Sequence, residues 1–439
     1  MWPKLRFVWQ TPASERVEKI TVDTAAAPED GVDLLTQTSS DFPQFLGPNR
    51  SGWIPGPSFD SDWTANPPTQ IWKQEIGAGW SSFAIVNGFA VTMEQRHDQE
   101  LVTCYDVMSG ELQWAHSLST RHETLLGGIG PRATPTIDEG RVYAMGATGT
   151  LRCLAGRNGD LIWEKDIVTE FGGTHEDDES SIAWGRSGSP LVVDDKLIVP
   201  VGCRSQHSCT LVAFDKISGD VIWLSGDSLA SYASPGSASI CSVRQVLYVA
   251  EDKLISCEVE TGTVLWEWKW PGASNAAANA SQAHALDGDR VFVSKGYGGG
   301  CELLQLSVDK NKWQVESIWK SNTTLKTKFS NVVIHDGLAF GLDDRILECV
   351  DLQTGRKIWK KGRYGFGQVL GVGDHIIVQA EDGRIVLVEA ARKFNELASI
   401  AAIEGKTWNN PAIYGQYLLV RNSEQAACFL LPDFSTAAQ

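Results

Sequence analysis

CYDVMSGELQW, residues 104–114, is the stretch that decides the fold, because it recurs. CLAGRNGDLIW (153–163), AFDKISGDVIW (213–223), SCEVETGTVLW (256–266) and CVDLQTGRKIW (349–359) align with it without a gap. Each opens on a small residue. Glycine follows six positions later, at Gly110, Gly159, Gly219, Gly262 and Gly355, and tryptophan four after that, at Trp114, Trp163, Trp223, Trp266 and Trp359. Asp106, Asp215, Glu258 and Asp351 stand eight positions before their tryptophan, and Ala155 breaks that pattern. An apolar run before the acidic residue reads as a strand. The acidic side chain accepts backbone N–H bonds in a tight turn, and glycine takes the positive φ that other residues resist. The apolar residues and tryptophan that follow form the next antiparallel strand, whose large ring packs between neighbouring sheets.

Working outward, weaker copies extend the series. VDKNKWQVESIW (308–319) carries a two-residue insertion and lacks the glycine, EAARKFNELASI (389–400) has lost glycine and tryptophan, and QIWKQEI (70–76) keeps only the final strand. Outer strands at Trp72, Trp114, Trp163, Trp223, Trp266, Trp319, Trp359 and about residue 398 make eight. Between them lie hairpin signals such as AIVNGFAVT (84–92), TIDEGRVYAM (136–145) and VIHDGLAFGL (333–342). The expectation is an all-β, eight-bladed propeller with four antiparallel strands per blade. Residues 409–431 supply three strands of a last blade and residues 70–76 its fourth, so the N-terminal strand closes the ring and leaves no long unpaired edge. Residues 1–40 lack hydrophobic periodicity and are expected to be a poorly ordered leader; the propeller spans 41–434 and a tail 435–439.

The tryptophan-docking unit resembles the repeat of the propellers that carry pyrroloquinoline quinone (PQQ). The outer-membrane-assembly propeller lipoprotein shares it. The wider chain resembles PQQ-like repeat proteins common in planctomycete bacteria, through DFPQFLGPNRSG (41–52), GPRATPTIDEGRVYAMGATGTLRCL (130–154), WGRSGSPLVVDDKLIVPVG (184–202), SKGYGGGC (294–301) and EGKTWNNPAI (404–413). The resemblance covers residues 41–431. It implies the propeller fold and leaves function open between a binding scaffold and a quinoprotein dehydrogenase, since fold does not fix function. The family's dehydrogenases pair PQQ with a divalent cation such as calcium, use an aspartate as general base, and cover the quinone with a disulfide between adjacent cysteines. This chain has no adjacent cysteine pair, and its last repeat is eroded. Both favour a non-catalytic protein that binds a protein or peptide partner, with no cofactor, acting as a monomer; PQQ with calcium is the alternative.

Composition narrows the partners. With 38 basic and 54 acidic residues the net charge is −16, against the basic surface that nucleic acid requires. No run of 18 apolar residues spans a bilayer. Nor does the start show the apolar region of a secretory signal, so a cytoplasmic location is expected as the sequence stands, and a periplasmic or secreted one if the true start lies upstream. The beginning of each inner strand should face the central channel, where Trp80, Arg132, Trp184, Arg186, Tyr232, Lys328, Ser330, Trp408 and Asn409 are the candidate ligand-binding residues. Ser81, Ser187, Ser234, Asn279 and Gln368 share such positions. A structural reading competes with this one, in which the rings pack the mouth and the hydroxyls satisfy strand ends.

Other groupings carry weaker expectations. Cys203, His207 and Cys209 could hold zinc, form a loop disulfide between the cysteines, or stand as thiols. HEDDES (175–180) reads as a solvated loop, GYGGG (296–300) as a hairpin turn, and His335 and His375 as surface residues.

Overall fold

The computed structural model describes residues 11–20, 31–203, 209–310 and 312–433. It contains eight four-stranded antiparallel units arranged as a propeller, with short helices at Ala13–Arg16 and His175–Ser181. Blade 1 comprises Ala84–Val86, Phe89–Arg96, Gln99–Asp106 and Leu112–Ser119, from inside outward. Blades 2 to 7 repeat this order and begin at Thr136, Leu191, Gly236, His284, Val333 and Gln368. Blade 8 takes three strands from Ala412–Tyr414, Tyr417–Arg421 and Gln425–Leu430, and its outer strand is Thr69–Glu75, antiparallel to Gln425–Leu430. The N-terminal closure read from the sequence is therefore present. No helix among the described residues is long and apolar enough to cross a membrane.

The repeat turn works as its residue types require. Asp106 Oδ1 accepts the N–H groups of Met108 (2.9 Å) and Ser109 (2.7 Å), and Gly110 follows at φ 76°. Trp72, Trp114, Trp163, Trp223 and Trp319 each lie over the glycine of the next blade. A Cβ on Gly110 would stand 2.8 Å from the Trp72 ring, one on Gly159 2.6 Å from Trp114, and one on Gly262 2.6 Å from Trp223. Glycine is demanded twice there, by φ and by the ring. The indole N–H donates to the carbonyl three residues before that glycine: Trp72 to Val107, Trp114 to Gly156, Trp223 to Val259 and Trp319 to Leu352, at 2.8–3.0 Å. Trp163 covers Gly219 but its N–H has no partner among the described residues; the Tyr143 hydroxyl donates to the Lys216 carbonyl instead, at 3.0 Å. Trp266 faces the turn that lacks glycine, and its N–H goes instead to Gln245 Oε1 of its own blade at 2.7 Å. Trp359 reaches Ala391 O at 3.0 Å and meets Phe394 edge-on.

A second device lies inside the ring. Residues 41–54, DFPQFLGPNRSGWI, touch the inner strands of successive blades in chain order. Phe42 exchanges backbone bonds with Ile85 of blade 1, and Pro43 O accepts from Ile137 N of blade 2. Arg50 reaches across blades 2, 3 and 4: Nη2 donates to Thr136 Oγ1 (3.3 Å) and to Pro190 O, and Nη1 to Ser189 O (3.2 Å) and Pro235 O (2.8 Å). Gln282 of blade 5 donates to Arg50 O. Gly52 sits against Val333 of blade 6, and Trp53–Ile54 pair in parallel with Gly371 and Val372 of blade 7. This segment plugs the channel. Arg50 is 4% exposed, and no carboxylate pairs with it among the described residues. Desolvation lowers its pKa to about 9, so it stays charged at neutral pH and is held by carbonyl dipoles.

The ring is also clamped by buried charges. Arg421 of blade 8, fully buried, donates to Thr92 Oγ1 (2.6 Å) and Met93 O (3.0 Å) of blade 1. Arg152 and Glu100, both without exposure, join blades 2 and 1 at 2.7 Å.

Several expectations change. Two pieces of the segment read as an unordered leader lie against the propeller: Ser14 is fully buried and its carbonyl accepts from His97 N, while Val32 and Leu34 pack with Val142 and Leu154. The acidic run 175–180 lies in a helix, His175–Ser181, capped by Thr174, rather than in a loop. His335 stacks on Trp53 of the plug at 4.0 Å and His375 packs against Phe59, just after it, at 5.3 Å, so both are half-buried. His207 and the side chain of Cys203 lie outside the described residues.

Two outcomes test this packing. Arg50→Ala takes the guanidinium donors from the Ser189 and Pro235 carbonyls, while Pro190 O keeps the Thr136 hydroxyl, and is expected to lower unfolding free energy by roughly 3 kcal/mol in urea melts, with Arg50→Lys intermediate. Gly262→Ala combines a positive φ with contact on the Trp223 ring and is expected to cost about 2 kcal/mol, less than additively with Trp223→Leu.

Candidate functional site

The eight inner strands begin at one end of the ring, and the residues just before them form its mouth. Their polar groups are bound from blade to blade. Ser82 N donates to Thr134 Oγ1, Thr134 N to Ser189 Oγ, and Ser189 N to Ser234 Oγ, at 2.9–3.1 Å. Gln282 N donates to Asn331 Oδ1, Ser281 Oγ to Ser330 O, and Ser82 Oγ to Asn410 O. Asn409 bridges to Gly79 O and Ser81 O. This girdle holds the strand starts at fixed spacing and leaves larger side chains to face the axis.

Those side chains enclose a cavity of ≈ 410 Å³. Phe45 of the plug contributes to its lining, and the plug closes the channel behind it. Trp80 and Trp408 pack at 5.0 Å between ring centroids, and Phe329 lies 4.7 Å from Trp408. Opposite them Trp184 stacks on Tyr232 at 5.1 Å, with Tyr297 at 6.3 Å. Leu126, 62% exposed, stands at the rim in the hairpin formed by Glu123–Thr124 and Gly128–Ile129. The Trp80 N–H donates to Gly127 O at 2.6 Å and ties that hairpin to the wall.

Two cations line the cavity, and none of its lining residues is Asp or Glu. Arg132 donates to Gly128 O at 3.1 Å and to Gly130 O, and burial lowers its pKa to about 10. The Lys328 ammonium lies over Phe366 at 4.6 Å and Tyr297 at 5.6 Å. The nearby Glu381 is committed, accepting from Trp408 Nε1 (3.0 Å) and Phe366 N (3.1 Å).

Of the residues singled out in the sequence, Trp80, Arg132, Trp184, Tyr232, Lys328 and Trp408 meet at this cavity, with Ser187, Ser234 and Gln368. Ser330 and Asn409 are buried in the girdle behind it, and Asn279 donates to Ala250 O, Glu251 O and Trp270 O. Arg186 turns away. It pairs with Asp178 at 2.6 Å and donates to Pro200 O and Val201 O, beside a second cavity of ≈ 340 Å³ under the 175–181 helix. Sequence reasoning missed Phe45, Leu126, Tyr297 and Phe329. Tyr297 sits in the glycine turn at φ 54°, and Phe329 stands between the two polar residues that were chosen. No group of three or more metal-ligating side chains occurs among the described residues.

A family model described as outer membrane protein assembly factor BamB matches residues 98–361. No curated protein sequence matches significantly. BamB from Moraxella catarrhalis is 14% identical with a TM-score of 0.60, over 83% of this chain and 99% of that one. A quinohemoprotein alcohol dehydrogenase from Comamonas testosteroni is 12% identical with a TM-score of 0.65, over 95% of this chain and 85% of that one. The computationally designed Ika8 protein is 10% identical with a TM-score of 0.57, over 82% and 99%. At these identities the likeness concerns the fold.

His122, 7% exposed beside the mouth, gives a pH test. Burial, then the charge of Arg132, lowers its pKa from 6.5 to about 4. The unfolded chain binds this proton at higher pH, so the contribution to stability is full above pH 6.5 and is lost as pH falls toward 4. Between pH 7 and 4.5, His122→Gln is expected to lose about 2–3 kcal/mol less than wild type in urea melts.

Proposed function

The chain belongs to the family described as outer membrane protein assembly factor BamB, and from that premise we propose that it is a non-catalytic propeller that binds a protein or peptide partner through its channel mouth and adjoining loops. The observation that carries this is the lining of the mouth: seven aromatic rings (Phe45, Trp80, Trp184, Tyr232, Tyr297, Phe329, Trp408), two cations and no carboxylate. Aromatic surface with a few placed polar groups is the make-up of a binding cleft.

The same lining disfavours a quinone–calcium centre. A divalent cation at a quinone needs carboxylate and amide oxygens, and the reaction needs a carboxylate base. Asn275, Asn331, Asn410 and Gln368 offer amides, but the lining holds no acid for either role. The fit fails on donor chemistry, and no redox step is assigned.

Panning a random-peptide phage library on immobilised protein tests the reading, alongside dye reduction with added PQQ and calcium. Selected peptides are expected to bind at micromolar strength and to weaken about tenfold or more in both Trp184→Ala and Trp408→Ala. Quinone-dependent dye reduction would overturn it.

A further inference from the structure

We propose that the mouth captures the free carboxy terminus of a peptide or protein whose last residue is aromatic or large and apolar. This rests on the mouth being a binding site, as set out above, and names what enters it.

The first observation is that the channel is blind. The plug crosses it from Phe42 to Ile54, bonded to one blade after another, so a chain can enter the cup but cannot run through it. A cavity of ≈ 410 Å³ is at the small end for ligand clefts and accommodates the end of a chain rather than a folded surface.

The second is the sign of the uncommitted groups. The protein carries a net charge of −16, yet the cup is lined by Arg132 and Lys328 with no acid. Within the described protein, Lys328 Nζ makes no hydrogen bond or ion pair and rests on two ring faces. The Tyr297 hydroxyl and the side-chain nitrogens of Asn331 and Asn410 likewise donate to nothing among the described residues, and all three side chains line the cavity. The available groups are one cation, the donors of Tyr297, Asn331 and Asn410, and the amide acceptors Asn410 Oδ1 and Gln368 Oε1; the cation and donors fit a carboxylate and peptide carbonyls, and the acceptors fit a peptide N–H. An incoming amino terminus would meet two like charges, while the acceptors of Glu381 are already taken. Carboxy-terminal capture by clustered donors is an established mode of peptide recognition.

The third is the wall. Trp80 with Trp408 and Trp184 with Tyr232 offer paired ring faces on opposite sides, and Leu126 projects over the rim. A terminal aromatic or branched apolar side chain finds packing there that alanine does not.

The test is fluorescence anisotropy with fluorescein-labelled Gly-Ser-Gly-Ala-Phe as free acid and as carboxy-terminal amide, and the same pair ending in Trp, Leu and Ala. The Phe, Trp and Leu acids are expected to bind about tenfold or more tightly than their amides and than the Ala acid. Lys328→Met is expected to reduce the acids to the level of the amides while leaving the amides unchanged, and Lys328→Arg to restore part of the difference. Equal binding of acid and amide, an unaffected Lys328→Met, or no binding of any peptide overturns the proposal. If acid and amide bind equally and both depend on Trp184, the mouth remains a binding site without carboxylate preference. If neither these nor the phage-selected peptides depend on Trp184, both readings fall.

Discussion

One contact repeats around this molecule and sets its geometry: an indole laid on a glycine that has no side chain to hold it off. The glycine must also adopt a positive φ, so two requirements meet on a single atom's absence. Four of the indoles add a hydrogen bond to the same carbonyl position, which fixes the ring's orientation as well as its depth. Where the turn changes, the bond changes with it. Trp266 turns to Gln245 because the next blade offers a two-residue longer hairpin in place of the glycine turn. The docking tolerates such loss because burial of the ring, rather than its N–H bond, supplies most of the stabilisation.

Blades joined only to their neighbours leave the axis open, and the chain closes it with its own N-terminal segment. Residues 41–54 visit blades 1 to 7, and residues 69–75 then complete blade 8, so one stretch both seals the bore and locks the ring. Arg50 is its central bolt: a planar cation with five donors can satisfy carbonyls from several blades at once, where an ammonium could not. Function follows from this closure. A bore that would have been a passage becomes a cup, walled by rings and floored by the plug, with two positive groups and no acid in its lining in an otherwise acidic protein.

The sequence made the ring legible because the ring is local. A turn and two strands lie within about a dozen residues, and their repeat survives in seven of the eight outer strands as a tryptophan. The mouth was legible in part. Strand starts could be counted from the repeat, and Trp80, Trp184, Tyr232 and Trp408, chosen on that count, line one cavity. Which way each side chain turns could not be counted. Arg186 is drawn off by Asp178 of a helix that the acidic run did not advertise, and Ser330 and Asn409 serve the girdle. The plug was illegible for a physical reason. It has no period, its bends depend on Leu46 and Arg50 at positive φ, and its contacts are with residues far along the chain, from Ile85 to Val372. Phe45 was missed with it.

The account stands most directly on what occupies the propeller axis. A crystal structure of the protein, with electron density traced along that axis, decides it. The prediction is continuous chain from Phe42 to Ile54 across the bore, with the Arg50 guanidinium against the carbonyls of Ser189, Pro190 and Pro235 and the Phe45 ring at the base of the mouth. An open, solvent-filled bore running through the ring, with residues 41–54 outside it, would contradict it.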